Sequence, residues 1–323
     1  MFWFLNKWFA DKPVDLEGLC EREVTKAIET TIETVDPRLR LVSDCKNKLR
    51  AAVVDALLHA RDLIHDIPGP LDINRRAFAS DPEVHSLFGS VQQLQQVFSH
   101  SEDVRRFCKT SRESHQSHCF ALLLMAMQEK QKPGFALKGD AVHADVLQNV
   151  IYFTDHQLVK VGANEAQVKR ELRHRAFEQM LLQVKRKVAD HQSQTNELRR
   201  EQSGLKRQLR TLTGENPALV QQLAEVEREL AKLSARLFHL DDYLELVVEV
   251  LTNPSEHCGL EHRDIRMSRS GVRLEQDASD GHLVRLADIR VGSAQQAGVI
   301  VRFPLEELAE SSISPQFGSL YGA

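Results

Sequence analysis

The hydrophobic pattern is clearest between residues 177 and 251, where apolar residues recur at alternating steps of four and three. One stretch keeps this spacing from Phe177 to Leu212, with polar residues at three of its positions. A second stretch keeps it from Leu219 to Leu251 without a polar interruption. Because this heptad spacing places apolar side chains along one face of a helix, it predicts two helices that pack on each other.

The residues between these two helices predict a sharp turn at 213–217. Gly214 suits a left-handed helix end, Asn216 an N-cap and Pro217 the first position of the next helix. We therefore predict that residues 165–252 form an antiparallel coiled-coil helical hairpin.

The charges of the two arms agree with this pairing. Residues 165–212 contain 12 Lys and Arg against 6 Asp and Glu, whereas residues 215–251 contain 3 against 8. A basic arm would then lie beside an acidic one. Since the acidic arm offsets the basic field and the basic arm has no aromatic residue between Gln179 and Thr213 for base stacking, we expect no nucleic-acid binding.

The chain before residue 110 has helical spacing throughout. Helices are predicted to end before Pro37 and at Pro68-Gly69-Pro70, and a capping box from Ser80 to Glu83 opens another. The predicted helices span residues 15–35, 39–64, 81–97 and 101–109, and they make residues 14–110 an all-helical unit.

A change of pattern predicts a small α+β unit at residues 115–163. The apolar run Phe120–Met127 indicates a buried strand, although a helix is the alternative, and Lys132–Gly134 suggests a hairpin turn. Residues 141–148 have helical spacing, and residues 150–161 indicate a second hairpin.

Beyond Pro254 the apolar period becomes two, which predicts an antiparallel β-meander at residues 258–309. Gly271, Gly281 and Gly292 mark its turns. Residues 310–323 are expected to be a flexible tail. The predicted fold class is mainly α with small α+β parts, in which the coiled-coil hairpin links the helical N-terminal unit and the α+β unit to the meander.

Composition describes an ordinary soluble protein of two or three domains. The chain has 323 residues, of which 42% are hydrophobic and 27% charged, with a net charge of −4. Its five cysteines are odd in number and scattered, which does not suit a disulfide framework. A reducing cytoplasm is the expected location.

The first 13 residues form an aromatic N-terminal segment that is too short to span a membrane. Its large side chains, Phe2, Trp3, Trp8 and Phe9, suit contact with a membrane surface or with a partner's groove. Packing of this segment on its own protein is the alternative.

One stretch of the meander resembles a known family. The sequence from Arg266 to Leu274, with Gly298–Phe303 downstream, is similar to a degenerate PilZ domain. Members of that family bind cyclic diguanylate through an RxxxR pair and a [DN]xSxxG turn on a β-barrel, and divergent members oligomerise through long coiled-coil helices. Here Ser268 and Gly271 match SxxG, whereas Arg266 replaces Asp or Asn and the arginine spacing differs from RxxxR. The resemblance covers about one-sixth of the chain, and it implies that nucleotide contacts would involve Arg263, Arg266, Ser268, Arg269 and Gly271.

Two groups of histidines and cysteines are candidate metal ligands, because these side chains suit zinc. Neither has the spacing of a zinc knuckle, and with 14 histidines in the chain such neighbours arise by chance. The candidates are Cys108, His115, His118 and Cys119 in one group, and His257, Cys258 and His262 in the other.

No motif for nucleophilic, metal-dependent or phosphate-loop catalysis is present in the sequence. We therefore predict a non-catalytic, cytoplasmic interaction or scaffold protein without a cofactor, which docks protein partners, or a second copy of itself, through the hairpin. His191, Thr195 and Gln202 interrupt its seam, and they set register, admit a third helix or are simply tolerated in a long exposed rod. The alternatives are a PilZ-like regulator that senses a cyclic dinucleotide and an enzyme that uses the α+β unit.

Overall fold

The computed structural model describes residues 19–110, 116–138, 141–211, 216–234 and 240–308. The chain forms two compact units, a helical unit from Met1–Ala60 with Ala176–Cys258 and a sheet unit from Arg61–Arg175 with Gly259–Ala323.

The described helices are α1 (Glu21–Val35), α2 (Cys45–His65), α3 (Arg75–Ser80), α4 (Pro82–Leu87), α5 (Val91–His100), α6 (Glu102–Thr110), α7 (Glu165–Thr211), α8 (Pro217–Ser234) and α9 (Leu240–Thr252). The strands are β1 (Leu71–Asp72), β2 (His118–Lys138), β3 (Ala141–Gly162), β4 (Cys258–Met267), β5 (His282–Val291) and β6 (Ala294–Pro304). None of the described helices combines the length and the apolar content needed to cross a membrane.

The helical unit is built on the apolar faces of its helices. Helix α1 buries Val24, Ile28 and Ile32, which are four residues apart and therefore share a face. The guanidinium of Arg50 on α2 donates two hydrogen bonds of 2.6 Å to the Glu21 carboxylate on α1. Helix α1 confirms the helix predicted at residues 15–35 from Glu21 onward, and α2 confirms the helix predicted at residues 39–64 from Cys45 onward, whereas Pro37–Leu41 form a separate 3₁₀-helix.

The described parts of α7 and α8 contact each other through one small apolar cluster. Leu205, Val226 and Leu230 are its buried members. Beside it, Lys206 Nζ lies 2.9 Å from Glu227 Oε1. The remaining leucines of this cluster, Leu198, Leu219 and Leu223, are only partly buried.

The sheet unit contains one six-stranded sheet in the order β3-β2-β6-β5-β4, with β1 pairing beside β6. Strand β2 pairs antiparallel with β3, and its residues His118–Met125 pair antiparallel with Ala297–Pro304 of β6. Strand β5 is antiparallel to β6, whereas β1 is parallel to it at Val301 and Arg302. Strand β6 therefore lies at the centre of the sheet.

The predicted fold class, mainly α with small α+β parts around a coiled-coil hairpin, is wrong. In the described residues, nine helices accompany the six-stranded sheet in an α/β arrangement. The strands predicted for a separate α+β unit and for a separate meander belong to the same sheet, because β2 pairs with β6. Apolar periodicity shows which face of a strand is buried, but it does not show which distant strand pairs with it.

The described residues 118–138 and 141–162 form one long antiparallel strand pair instead of two short hairpins. Strand β2 confirms the strand predicted at residues 120–127, whereas the helix predicted at residues 141–148 is wrong because these residues belong to β3. The turn predicted at Lys132–Gly134 lies inside β2. Pro133 is accommodated because its partner Leu147 forms a pair without ladder hydrogen bonds, so no N–H is required there.

Helices α4 to α6 bury apolar side chains against the sheet, whereas α3 packs only partly buried ones there. The ring of Phe98 on α5 stacks on Phe303 of β6, with centroids 3.9 Å apart. The single helix predicted at residues 81–97 is divided into α4 and α5, because Ser90 starts a new helix by accepting a hydrogen bond from Gln93 N at 3.1 Å. Helix α6 confirms the helix predicted at residues 101–109.

His156 links β3 to α4 and should make stability depend on pH. Its Nε2 donates to Leu87 O at 2.7 Å, and its ring stacks on Phe88. Burial lowers the pKa of His156 below its usual value, so on acidification the unfolded chain takes up a proton before the folded protein does. The contribution of His156 to the free energy of unfolding is therefore fully present above about pH 6.5, and it is lost as the pH falls below that value.

We expect His156→Gln, which keeps an N–H donor, to reduce the slope of the free energy of unfolding against pH by up to about 1.4 kcal/mol per pH unit. Urea unfolding followed by circular dichroism between pH 7.5 and 5 measures it. The matched control is His65→Gln, because the His65 side chain is 85% exposed. An identical pH slope in wild type and His156→Gln would contradict the assignment.

Candidate functional site

Residues 268–276, which we call the closing segment, lie between the two edge strands of the sheet. The segment begins with a turn in which Gly271 N donates to Ser268 O at 3.0 Å. The Ser268 hydroxyl accepts a hydrogen bond from Val272 N at 3.1 Å. Gly271 has φ of +82°, and a Cβ there would lie 3.0 Å from Ile151 O. Serine and glycine therefore serve the turn itself.

The closing segment pairs with the outer edge of β3. Ile151 N donates to Gly271 O at 2.9 Å, and Arg273 N donates to Asn149 O at 2.7 Å. These bonds surround an antiparallel bridge at residues 150 and 272. The protein's own backbone thus already serves as a short added strand on β3.

After this pair, the closing segment moves away from β3 and follows β4. Leu274 N donates to Arg266 O at 2.9 Å, and the Gln276 side chain donates to Asp264 O at 2.9 Å. The outward carbonyls of β4 are satisfied at these two positions. The edges of β3 and β4 therefore diverge beyond the bridge between Val150 and Val272.

Leu147 occupies the part of β3 from which the closing segment has departed. Because backbone groups alternate sides along a strand, the N–H and C=O of Leu147 point away from β2, as those of Asn149 do. No described residue makes a backbone hydrogen bond to Leu147 on that side. The Leu147 side chain is 67% exposed. Strand β3 therefore presents an unpaired edge directly beside a paired one.

The space between this edge and the closing segment is a groove of about 740 Å³, which we call the edge groove. Two arginines and two carboxylates line it, so these side chains give it no net charge. Amide side chains provide further donors and acceptors. The lining residues are 146–149 of β3, 264–266 of β4 and 272–276 of the closing segment.

The predicted nucleotide residues lie in or near the closing segment, but their polar groups are largely engaged. Arg263 forms an ion pair with Asp288, whose side chain is 7% exposed. Arg266 Nε donates to Gln276 O at 3.0 Å. Ser268 and Gly271 form the turn described above, whereas Arg269 is exposed. Among these arginines, Arg266 lines the edge groove.

The two candidate metal groups are not assembled into a centre by the described residues. Burial raises the pKa of the Cys119 thiol to about 12, which disfavours the thiolate that a metal requires. Cys258 is also buried, and His262 is exposed. Among the residues that the structure describes, no three His, Cys, Asp or Glu side chains form a group that could hold a metal ion. Cys108, His118 and His257 are half-buried, and His115 lies outside the described residues.

The polar seam residues of α7 have separate local roles. Thr195 is buried, and its hydroxyl donates to His191 O at 2.9 Å. Gln202 Nε2 donates to Glu227 Oε1 at 3.0 Å. His191 Nε2 is buried, and none of the described residues makes a hydrogen bond to it. The aromatic residues Phe2, Trp3, Trp8 and Phe9 lie outside the described residues.

One serine and one histidine approach each other as in a nucleophile–base pair. Ser86 Oγ lies 2.7 Å from His282 Nε2, and it also donates to Pro82 O at 2.9 Å. Because a hydroxyl has one proton, His282 must donate to Ser86 when Ser86 donates to the carbonyl. A catalytic base needs the opposite arrangement. This contact therefore joins α4 to β5.

Leu147 was missed because the spacing around it also fits a helix. Val142, Val146 and Val150 are four residues apart, which places them on one face of a helix as readily as on one face of a strand. No residue type marks such a position, because an open strand edge is a property of the pairing between strands.

No protein-family model matches the chain, and neither the curated proteins nor the solved structures contain a match.

Proposed function

We propose that the protein is a non-catalytic interaction protein, which binds an extended segment of a partner protein as an added strand on β3. The observation that carries this proposal is the unpaired backbone of Leu147 facing the edge groove. An open strand edge is a template for another extended backbone, because alternate N–H and C=O groups are available for pairing.

The closing segment supports this mode of binding. It pairs with β3 at Asn149 and Ile151 and then leaves β3 at Leu274. A partner strand in the edge groove would continue the same ladder toward the start of β3. Binding would then require no rearrangement of the existing hydrogen bonds.

The lining of the edge groove defines the composition of the partner segment. Leu147 is largely exposed, and Val146 and Leu274 are half-buried beside it. We therefore expect an apolar partner residue opposite Leu147. The balanced charges of the groove do not favour a phosphate-rich polymer, whose binding requires excess positive charge.

Selection from a phage-displayed library of random decapeptides tests the proposal. We expect wild-type protein to enrich extended peptides, and we expect Leu147→Pro to bind them about tenfold more weakly, as measured by calorimetry. The proline removes the N–H that faces the edge groove but no ladder hydrogen bond to β2, because residue 147 makes none on that side.

Leu147→Ala is the matched control, because it keeps the N–H while removing the exposed side chain. Its loss of affinity should be smaller than that of Leu147→Pro, with unchanged circular dichroism in both variants. Failure to enrich any peptide would overturn the proposal, as would equal binding by Leu147→Pro and wild type.

The reducing cytoplasm is the location that we propose. The odd number and scattered positions of the five cysteines support it, because disulfides form in oxidising compartments. A membrane-surface role for the aromatic N-terminal segment stays a prediction, as does nucleotide binding at the closing segment.

The surface of α7 and α8 is a second candidate docking site, either for a partner protein or for a second copy of the chain. It is supported by Val220 of α8, whose side chain is 55% exposed. Light scattering at micromolar concentration distinguishes self-association from a monomer, and Val220→Lys should weaken an assembly formed there.

A further inference from the structure

A second cavity lies between α6, β3 and the first turns of α7. Its volume is about 470 Å³, which suits a small molecule. Both the cavity and the edge groove border β3, but they share no lining residue. A ligand bound here would therefore contact other residues than the proposed added strand does.

Lys160 is placed at this cavity by an unusual backbone. It has φ of +58°, a left-handed conformation that is uncommon for residues other than glycine, asparagine and aspartate. The pairs Phe120–Gly162 and Leu122–Val159 leave two residues of β3 opposite one of β2, so Lys160 lies in a β-bulge. Bulges redirect side chains and are frequent beside functional sites.

The charges around the cavity favour an anion. Three cationic side chains, Arg106, Lys160 and Arg175, line it together with two carboxylates, Asp103 and Glu171. The net charge of these groups is therefore positive.

The ion pairs within the cavity are long. Lys160 Nζ lies 3.9 Å from Glu171 Oε2, and Arg106 Nη1 lies 3.5 Å from Asp103 Oδ1. Charge-assisted hydrogen bonds are shorter, at about 2.7–2.9 Å. The ammonium and the guanidinium therefore retain donors for a ligand.

We infer that this cavity binds a small molecule carrying a doubly charged phosphate group, with Lys160 and Arg106 as its principal contacts. Two cations can neutralise such a group, and the volume leaves room for a substituent of a few carbon atoms. Glu171 opposes binding, because its carboxylate lies beside the lysine that would meet the phosphate.

Isothermal titration calorimetry with glycerol 3-phosphate tests this inference, against sodium chloride at matched ionic strength. We expect saturable binding to the wild-type protein and about tenfold weaker binding to Lys160→Met, which keeps the aliphatic stem. Glu171→Gln should bind more tightly than wild type, because the competing carboxylate is removed. A merely structural role for these residues would not change affinity in opposite directions.

Lys130→Met is the matched control. This lysine lies on the same hairpin, over the Tyr152 ring and outside the cavity, and its removal should leave binding unchanged. Titration with inorganic phosphate shows whether the organic part of the ligand contributes to binding, since a similar affinity would show that the phosphate alone is recognised. Absence of saturable heat with both phosphates, or equal affinity for wild type and Lys160→Met, would overturn the inference.

Discussion

Replacing Phe303 with alanine is expected to lower the free energy of unfolding by roughly 3–5 kcal/mol, the cost of removing a large buried aromatic side chain. Phe303 lies on the central strand β6 with no exposed surface, and its ring stacks on Phe98. The substitution would remove the stack and leave a cavity between α5 and the sheet. Urea unfolding monitored by circular dichroism measures the change.

Phe303→Leu is the control for this prediction, because it fills part of the same space. It should cost clearly less than the alanine variant. A loss below about 1 kcal/mol for Phe303→Ala would place Phe303 outside a packed core and would contradict the position of β6 at the centre of the sheet.

Gly69→Ala should destabilise the protein by at least about 3 kcal/mol, because two separate penalties add. Gly69 has φ of +117°, where a side chain is strained. A Cβ there would also overlap the carbonyl oxygen of Ile300, a buried residue of β6. Since Ile300 N donates to Pro68 O, the strand cannot move away without losing a hydrogen bond. The same urea experiment measures this effect.

Gly204→Ala is the opposite case and the matched control. Gly204 lies inside α7 with φ in the helical range, and a Cβ there would meet nothing within 4 Å. Alanine should raise stability by roughly 0.5–1 kcal/mol, because it restricts the unfolded chain. Equal effects at the two positions would show that neither the strain nor the close approach at Gly69 is real.

Local signals predicted several helices correctly. Pro37 ends the segment that contains α1, and the apolar spacing around Val104 and Phe107 marks α6. These signals depend on neighbours within one or two turns, and short-range rules describe such neighbours well. The break between α4 and α5 was missed because apolar spacing continues across Ser90.

The sheet could not be assembled from the same signals. Its decisive ladder pairs Leu123 with Val299, and nothing in either local sequence identifies the other strand. The β2–β3 hairpin was divided in the prediction because Pro133 was interpreted as part of a turn. Only the geometry shows that Pro133 faces Leu147 at a position where a missing N–H has no cost.

The candidate sites were predicted in part. The sequence singled out Ser268 and Gly271 for a family resemblance, and the structure shows these residues in a turn whose neighbouring residues line the edge groove. Leu147 and Lys160 became visible only with the backbone, because an unpaired edge and a left-handed lysine are properties of pairing and dihedral angles. Residue type alone carries neither property.

An N-methyl scan of one phage-selected peptide tests strand addition most directly. We expect that methylating alternate backbone amides, those facing β3, lowers affinity for the wild-type protein about tenfold, while methylating the intervening amides changes it little. A scan without this two-residue alternation would contradict the account, because the peptide would then be held through its side chains and not as a strand on β3.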